Sequence, residues 1–236
     1  MKVDSVFERY SRQIFIEEIG VSGQRKIMDA KVLVIGAGGL GSPVVQYLAA
    51  AGIGKLGLVD FDRVELHNLN RQTIHTEDHI HDAKTNSAMH YIRKHNSTID
   101  FQVLQVKIDH ENVISILEPY HIIVDCCDNF TTRYLLNSTC LKLDKPLVYG
   151  SIYGFEGQLA VFNYKGSKNL LDIFPTPPSH DQVPNCDKNG VLGPLPGIIG
   201  SMMAMQVLKI AADLPVDSDQ LTIVDTFHWR FTKLSF

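Results

Sequence analysis

The chain has 236 residues, of which 44% are hydrophobic and 20% charged, and its formal net charge at pH 7 is −4. These values are typical of a soluble globular protein, and an acidic chain without a basic stripe gives no reason to expect a nucleic-acid partner. The N-terminus lacks the apolar segment of a signal peptide, and no apolar run reaches the roughly 18 residues of a membrane span. The cysteines show no paired spacing, which is typical of a reducing compartment. We therefore expect a cytoplasmic protein without a membrane partner.

Residues 1–30 predict N-terminal helices, and the segment after them has a recognisable order. An apolar strand, Val32–Ile35, leads into a turn that contains Gly36, Gly38, Gly39 and Gly41. A helix from Ser42 to about Ala51 follows, and then a second apolar strand that ends on Asp60. Glycines allow a sharp turn and a close approach of the backbone to a ligand, and a helix N-terminus presents free N–H groups to negative charge. The order predicts a nucleotide-binding βαβ unit.

Strands and helices continue to alternate as far as residue 151. The predicted elements are a helix from about Asp82, a strand Phe101–Val106, a helix Glu111–Leu117, a strand His121–Asp125, a helix Asn129–Leu143 and a strand Pro146–Ser151. Such alternation predicts an α/β fold with a doubly wound, Rossmann-like, mostly parallel sheet.

The pattern changes from Val148 onward, where glycine-containing strand segments predict an antiparallel, β-rich C-terminal extension. Residues 164–190 contain several prolines and predict a long loop. A helix over Pro194–Ala212, interrupted near Gly197 and Gly200, and two closing strands, Leu221–Asp225 and Phe231–Leu234, complete the prediction. We interpret residues 1–236 as one domain, with N-terminal helices (1–30), a nucleotide-binding part (31–147) and a β-rich part (148–236) that includes the crossover loop 164–190.

Polar side chains follow the ends of several predicted strands, where ligands bind in doubly wound sheets. They are Asp60, Asp62, Asn68, Arg71 and Gln72, then Lys84, then Asp128 and Asn129. Two cations and strand-end carboxylates around a glycine turn suit a triphosphate and its Mg²⁺, which Asp128 could bind. Taken singly, Arg71, Lys84 and Asp128 are each explained more simply as a solvated surface charge. An NAD site carries only a pyrophosphate and would not need this set.

Several motifs together resemble the ThiF/MoeB/HesA family, the prokaryotic relatives of ubiquitin-activating enzymes. The motifs are RYSRQI (Arg9–Ile14), GAGGLGSP (Gly36–Pro43), VDFDRVELHNLNRQ (Val59–Gln72), Lys84, DCCDNFTTRYLLN (Asp125–Asn137), YGSIYGFEGQ (Tyr149–Gln158) and NCDKNGVLGPLPGIIGSMMAMQVLK (Asn185–Lys209). The resemblance implies a ThiF-type domain that adenylates the C-terminal glycine of a ubiquitin-like sulfur carrier of the ThiS or MoaD type. Its cofactors would be ATP and Mg²⁺, and its β-rich part would bind the carrier.

The resemblance also implies roles for individual residues. Asp60 would contact the ribose, Gly39 would line the nucleotide site, and Asp128 would help to bind Mg²⁺. Asn68, Arg71 and Lys84 would surround the phosphates, and Arg12 would be supplied across a homodimer interface. Attack by a carboxylate needs no general base, so that catalysis would consist of positioning and charge neutralisation.

The cysteines and histidines lead to separate expectations. Members of the family typically carry two C-x-x-C pairs that bind a structural zinc; the chain has neither, so we expect no structural zinc. Cys186 matches the family cysteine that can form a thioester with the carrier, or an acyl disulfide with a persulfide donor such as a cysteine desulfurase; the alternative is a spectator thiol. We interpret His75, His79 and His81 as polar loop histidines rather than a metal cluster.

The sequence therefore favours a homodimeric, Mg-ATP-dependent adenylyltransferase of thiamine or molybdopterin synthesis. Three alternatives stay open. The same fold could activate a tRNA-bound or peptide carboxylate, the chain could be an NAD-dependent oxidoreductase, or it could be a non-catalytic nucleotide-binding scaffold.

Overall fold

The computed structural model describes residues 3–178 and 190–236. The helices are α1 (Val3–Ile14), α2 (Gly20–Asp29), α3 (Gly41–Ala51), α4 (Lys84–His95), α5 (Val113–Leu117), α6 (Phe130–Lys142), α7 (Leu170–Ile173) and α8 (Pro194–Ala211). The strands are β1 (Lys31–Ile35), β2 (Lys55–Val59), β3 (Asp100–Leu104), β4 (Ile122–Asp125), β5 (Leu147–Tyr153), β6 (Glu156–Phe162), β7 (Gln220–Asp225) and β8 (Arg230–Ser235).

The eight strands form one sheet in the order β3-β2-β1-β4-β5-β6-β7-β8. Strands β1 to β5 run parallel, and β6, β7 and β8 are added antiparallel. The order reverses at β1, which lies between β2 and β4, and a crevice opens at such a point beyond the carboxyl ends of the strands. The predicted Rossmann-like sheet with an antiparallel C-terminal extension is confirmed.

The sheet has a hydrophobic core on each face because its central strands are buried on both sides. Val32 and Val34 of β1 lie in one core, with residues of α3, α4 and α8. Leu33 and Ile35 point to the other face, where α5 and α6 cover the sheet. Alternate side chains of a strand point to opposite faces, so a continuous apolar run is required where helices cover both.

Helix α8 is continuous, whereas the sequence analysis predicted an interruption near Gly197 and Gly200. A Cβ atom at Gly200 would lie 2.4 Å from the Cγ atom of Pro43, so the glycine lets α8 and α3 approach closely. A Cβ atom at Gly150 would collide with Met203 of α8, and one at Gly157 would collide with Ile199. These two strand glycines therefore let α8 approach the sheet closely. All three glycines are therefore packing residues, and α8 continues through Gly200.

By length and composition alone, α8 is apolar enough to cross a membrane, contrary to the expectation that no segment would reach that length. One side of the helix, including Leu195, Ile199 and Val207, is buried in the protein core. A core helix of a globular protein has this character without any membrane.

The segment predicted as a long loop contains a short helix, α7, whose N-terminus is capped by Asn169 in a reciprocal arrangement with Asp172. Residues 179–189 lie outside the described part of the chain, and Cys186 is among them.

Candidate active site

A cleft of about 690 Å³ opens at the carboxyl ends of β1, β2, β4 and β5. Most of the predicted site residues line it, although they come from distant parts of the chain. They are Gly36, Gly38, Gly39, Asp60, Asp62, Arg71, Gln72, Lys84, Asp128 and Asn129.

The glycine turn lies on the floor of the cleft. Gly36 has a φ of +102°, a conformation that favours glycine, and a Cβ atom on it would lie 2.7 Å from the Cys126 carbonyl oxygen. A Cβ atom on Gly41 would lie 1.8 Å from the Gly36 carbonyl oxygen. At Gly38, in contrast, the nearest atom to a Cβ would be Nε2 of Gln72 at 3.8 Å, so this glycine leaves open space. The backbone at Gly38 is therefore accessible from the cleft.

Asp60 ties the glycine turn to the end of β2. Its Oδ2 atom accepts a hydrogen bond from the Ala37 amide and its Oδ1 atom accepts one from the Asp62 amide, both at 2.7 Å. Burial raises the pKa of the Asp60 carboxyl, and the nearby positive charge of Lys84 opposes this shift. The carboxylate is thus held at a defined position next to the turn.

Lys84 is the first residue of α4, and its side chain is only 8% exposed. Its Nζ atom lies 3.0 Å from the Oδ2 atom of Asp62. The Asp62 side chain is 48% exposed, so the pair is closed on the lysine side and open to solvent on the carboxylate side. Lys84 is therefore a buried ammonium beside the cleft and not the solvated surface charge of the alternative interpretation.

The segment after β2 supplies Arg71 and Gln72 to the cleft. The Arg71 Nη1 atom donates to the His67 carbonyl at 3.0 Å and to the Asn70 side-chain oxygen at 3.1 Å, which leaves further guanidinium N–H groups for a ligand. Gln72 is buried, and its Oε1 atom has no hydrogen-bond partner among the described residues.

Asn68 is buried beneath the cleft and is not one of its lining residues. Its Oδ1 atom accepts a hydrogen bond from the Glu65 amide at 3.1 Å, and it closes a reciprocal cap with the Glu65 side chain. Its observed role is to shape the segment that carries Arg71. Contact of Asn68 with phosphates stays a prediction.

Asp128 and Asn129 follow β4 on the other side of the cleft. Asn129 caps α6, since its side-chain oxygen accepts from the Thr132 amide at 2.9 Å. The Asp128 side chain is exposed. It therefore presents a carboxylate to the cleft, which it lines.

A buried arginine, which the sequence analysis did not identify, supports the Asp128 loop. The Arg133 Nε atom donates to Asp125 at 2.9 Å, and Nη2 donates to the carbonyl oxygens of Cys127 and Gly150, both at 2.8 Å. The guanidinium also lies over the Tyr149 ring, 4.6 Å from its centroid. These bonds join the end of β4 and the loop that leads to Asp128 to Gly150 in the middle of β5.

His75 is buried, whereas the sequence predicts a polar loop histidine. It is 5% exposed, and its imidazole contacts Ala37 of the glycine turn. His79 is partly exposed and lies beside Asp82 and His90. No group of three metal-ligating side chains occurs within residues 3–178 and 190–236.

Three predicted residues besides Asn68 lie outside the cleft or outside the described chain. Arg12 is exposed in the last turn of α1 and does not line the cleft of its own chain. Gly41 lies behind the turn, against Gly36. Cys186 lies in the undescribed segment, so that its role stays a prediction.

The described cysteines have unreactive thiols. Cys126, Cys127 and Cys140 are buried, and burial raises the pKa of each thiol, that of Cys140 to about 12. The Cys127 thiol donates to the Asp125 carboxylate at 2.6 Å. These thiols therefore stay protonated at neutral pH and are poor nucleophiles.

The sheet order, the glycine turn and the cleft at the carboxyl ends of the strands define a Rossmann-like α/β protein. The ThiF family model matches residues 10–235, and the chain belongs to the ThiF family. It is 40% identical over 235 residues to the sulfur carrier protein adenylyltransferase of Thermus thermophilus, covering 97% of this chain and 86% of that protein.

The chain is also 50% identical over 202 residues to the adenylyltransferase and sulfurtransferase MOCS3 of Anopheles gambiae, covering 86% of this chain and 46% of that protein. It spans about half the length of the MOCS3 relatives that it matches. Among solved structures, E. coli MccB with ATP superposes with a TM-score of 0.84 at 22% identity, covering 96% of this chain and 71% of that chain.

Proposed function

We propose that this protein uses ATP to adenylate the C-terminal carboxylate of a ubiquitin-like sulfur carrier of the ThiS or MoaD type. The observation that carries the proposal is the convergence of the glycine turn, the buried Lys84, Arg71 and Asp128 on one cleft. An NAD site would have no use for these charges. The names of the Thermus and Anopheles relatives, both adenylyltransferases, support the same reaction.

In the proposed reaction, a carboxylate oxygen of the carrier attacks the α-phosphorus of ATP. The bond between that phosphorus and the oxygen bridging to the β-phosphate breaks, and pyrophosphate leaves with the electron pair. The products are an acyl-adenylate and pyrophosphate. Lys84 and Arg71 neutralise the negative charge that moves onto the leaving group, and no proton transfer is required.

The donor set suits Mg²⁺ as the ion that accompanies ATP. Magnesium in nucleotide sites is commonly held by one or two carboxylates together with substrate phosphates. Asp128 offers an exposed carboxylate at the cleft, whereas Asp62 is already paired with Lys84. In this proposal Asp128 holds the ion, which supplies charge neutralisation when bound.

We also propose that the functional unit is a homodimer in which Arg12 acts on the cleft of the partner subunit. Arg12 is exposed and does not line the cleft of its own chain. Helix α1 is nevertheless held firmly, since the Gln13 side chain donates to Gln24 at 2.7 Å and to the Ala51 carbonyl at 3.1 Å. Because α1 is anchored, Arg12 is held in a fixed position from which it can act on the cleft of the partner subunit.

An aromatic surface beside the cleft is the proposed contact for the body of the carrier. Tyr153 lines the cleft, and the neighbouring Phe155 packs edge-to-face against Phe227, with ring centroids 5.2 Å apart. Trp229 precedes β8 and Phe231 lies in it, on the same hairpin as Phe227, and they are 70% and 61% exposed. Exposed aromatic groups of this density mark interaction sites, and the continuity with the cleft would let a C-terminal tail reach the nucleotide.

Two finer features of the proposal concern sulfur transfer. The Cys186 thiol would attack the acyl carbon of the acyl-adenylate and form a thioester as AMP leaves. Alternatively, a Cys186 persulfide supplied by a cysteine desulfurase would attack the same carbon and form an acyl disulfide as AMP leaves. The sulfur carrier in this proposal serves either thiamine or molybdopterin synthesis.

The experiment is ATP–pyrophosphate exchange with purified protein and carriers of the ThiS and MoaD types that end in Gly-Gly. Exchange that depends on one carrier establishes adenylation and identifies the pathway. Absence of exchange with both carriers, in protein that binds ATP, overturns the proposal and favours another carboxylate substrate or a nucleotide-binding scaffold.

A further inference from the structure

The buried imidazole of His75 connects two elements that are distant in the chain. Its Nε2 atom lies 2.9 Å from the carbonyl oxygen of Ala37, in the glycine turn. Its Nδ1 atom lies 2.9 Å from the Oγ atom of Ser87, one turn after Lys84 on α4. The ring therefore bridges the glycine turn and the helix that begins with Lys84.

The partners determine the tautomer. A carbonyl oxygen can only accept a hydrogen bond, so the Nε2 atom of His75 carries the proton and donates to Ala37. A serine hydroxyl can donate or accept, and in the neutral imidazole the Nδ1 atom accepts from the Ser87 hydroxyl. Burial lowers the pKa of His75 to about 4, and the positive charge of Lys84 contributes to that shift.

The same residues close a ring of hydrogen bonds that begins and ends on α4. The Ala37 amide donates to Asp60, which also accepts from the Asp62 amide, and Asp62 pairs with Lys84 at 3.0 Å. Each link is 3.0 Å or shorter, from 2.7 to 3.0 Å. The ring passes through Ser87, His75, Ala37, Asp60, Asp62 and Lys84.

We propose that His75 is a positioning residue that fixes the glycine turn relative to Lys84, so that the backbone of the turn and the ammonium group meet one triphosphate together. The proposal rests on the nucleotide-dependent function proposed above. His75 does not line the cleft and takes no part in bond making. Its effect is exerted through Ala37 on one side and through Ser87 on the other.

A purely structural role would have a different signature. A buried side chain that only fills space would, when replaced, lower the melting temperature without changing how the folded protein binds ATP. A positioning residue also changes the KM for ATP in protein that is fully folded, because the two binding elements are no longer held in register.

Two amide substitutions separate the two hydrogen bonds. In His75→Gln the amide nitrogen replaces Nε2 and retains the bond to Ala37, whereas in His75→Asn the amide oxygen replaces Nδ1 and retains the bond to Ser87. His79→Gln is the matched control, because His79 lies in the same segment and its contacts with Asp82 and His90 lie outside the ring.

The measurements are KM and kcat for Mg-ATP in carrier-dependent pyrophosphate exchange, ATP affinity by calorimetry, and the melting temperature. We expect His75→Asn and His75→Gln each to raise the KM for ATP about tenfold, because each retains only one of the two buried hydrogen bonds that make up the bridge. A complementary readout is the amide NMR signal of Asp62, which should shift in His75→Asn and stay constant in His79→Gln.

The outcomes are distinguishable. If the wild-type protein shows neither exchange nor ATP binding, the proposed function is overturned. If the wild type is active and His75→Asn has the same KM and affinity for ATP, only the positioning role is overturned. A lower melting temperature with unchanged ATP affinity likewise assigns His75 to packing. Raised KM with an unchanged His79→Gln control supports the proposal.

Discussion

The ammonium of Lys84 lies 3.0 Å from the carboxylate of Asp62, and the lysine is buried while the aspartate is half exposed. Because protein atoms surround the ammonium and solvent reaches mainly the carboxylate, the ammonium stays desolvated beside the cleft. When a triphosphate enters, its oxygens can share or replace the Asp62 carboxylate as the partner of Lys84. The pair thus holds the cation in place before the substrate arrives, which is the condition for electrostatic stabilisation without reorganisation.

Replacement of this ammonium should abolish most of the activity. We expect Lys84→Met to reduce carrier-dependent pyrophosphate exchange by about 10²- to 10³-fold, the usual loss when one preorganised charge contact to a transition state is removed. Lys94→Met is the matched control, since Lys94 lies on the same helix with an exposed side chain. Equal exchange rates in the two variants would remove Lys84 from the mechanism.

The Asp128 carboxylate should be required for Mg²⁺ and not for folding. Asp128→Ala should abolish adenylation, and Asp128→Asn should raise the Mg²⁺ concentration needed for half-maximal exchange, since an amide is a weaker ligand than a carboxylate. The side chain is exposed, so we expect the melting temperature to change little. Asp144→Asn, another exposed aspartate, is the control. A wild-type rate for Asp128→Ala would contradict the assignment.

Two glycines of the turn should differ in their tolerance of a methyl group. Gly41→Ala places a Cβ atom 1.8 Å from the Gly36 carbonyl oxygen and should destabilise the fold by about 1–3 kcal/mol or more. Gly38→Ala meets only Nε2 of Gln72 at 3.8 Å and should leave the free energy of unfolding nearly unchanged. Its methyl group lies at the cleft, so the KM for ATP should rise. Urea unfolding and exchange kinetics of both variants measure these effects.

Carrier binding should be visible at Trp229, which is the single tryptophan of the chain and 70% exposed. Burial against a carrier without tryptophan should shift its fluorescence to shorter wavelength. Trp229→Ala should weaken carrier binding by about 2 kcal/mol, the size of an aromatic interface anchor. Leu141→Ala, an exposed apolar residue on α6, should have no such effect. An unchanged spectrum at saturating carrier would place the contact elsewhere.

The buried His75 should make the protein less stable in acid. Its pKa is about 4 in the folded state against 6.5 for the free side chain, so the unfolded chain takes up a proton first as the pH falls. The contribution of the neutral imidazole is fully present above about pH 6.5 and is lost as the pH falls toward 4, with a maximum of about 3 kcal/mol. Urea unfolding at pH 7 and pH 4.5 should show a larger loss for wild type than for His75→Gln.

The other charged groups near His75 are present in both proteins, so their effects on stability cancel from that comparison. They are Lys84, His79 and Asp60, of which Asp60 has a raised pKa and acts in the opposite sense, stabilising at low pH. Parallel pH profiles for wild type and His75→Gln would show that folding does not lower the pKa of His75, and would contradict the buried neutral imidazole.

The sequence by itself determined the fold class and the edge of the sheet that carries the cleft. Unbroken apolar runs such as Val32–Ile35 require helices on both faces, and Gly36, Gly38 and Asp60 mark a nucleotide-binding unit by their order alone. Since parallel strands share one carboxyl edge, residues that follow them, such as Asp128, could be assigned to one cleft.

Only the tertiary structure decided which polar side chains are buried and which partners they have. His75 and Arg133 look like ordinary polar residues in the sequence, because their partners Ala37 and Gly150 are remote in the chain. The continuity of α8 could likewise be seen only in the structure, where Gly200 packs against α3. In a sequence, a glycine that permits close packing cannot be told from one that ends a helix. Local patterns encode which face of an element is apolar, whereas burial and hydrogen-bond partners arise only when distant segments meet.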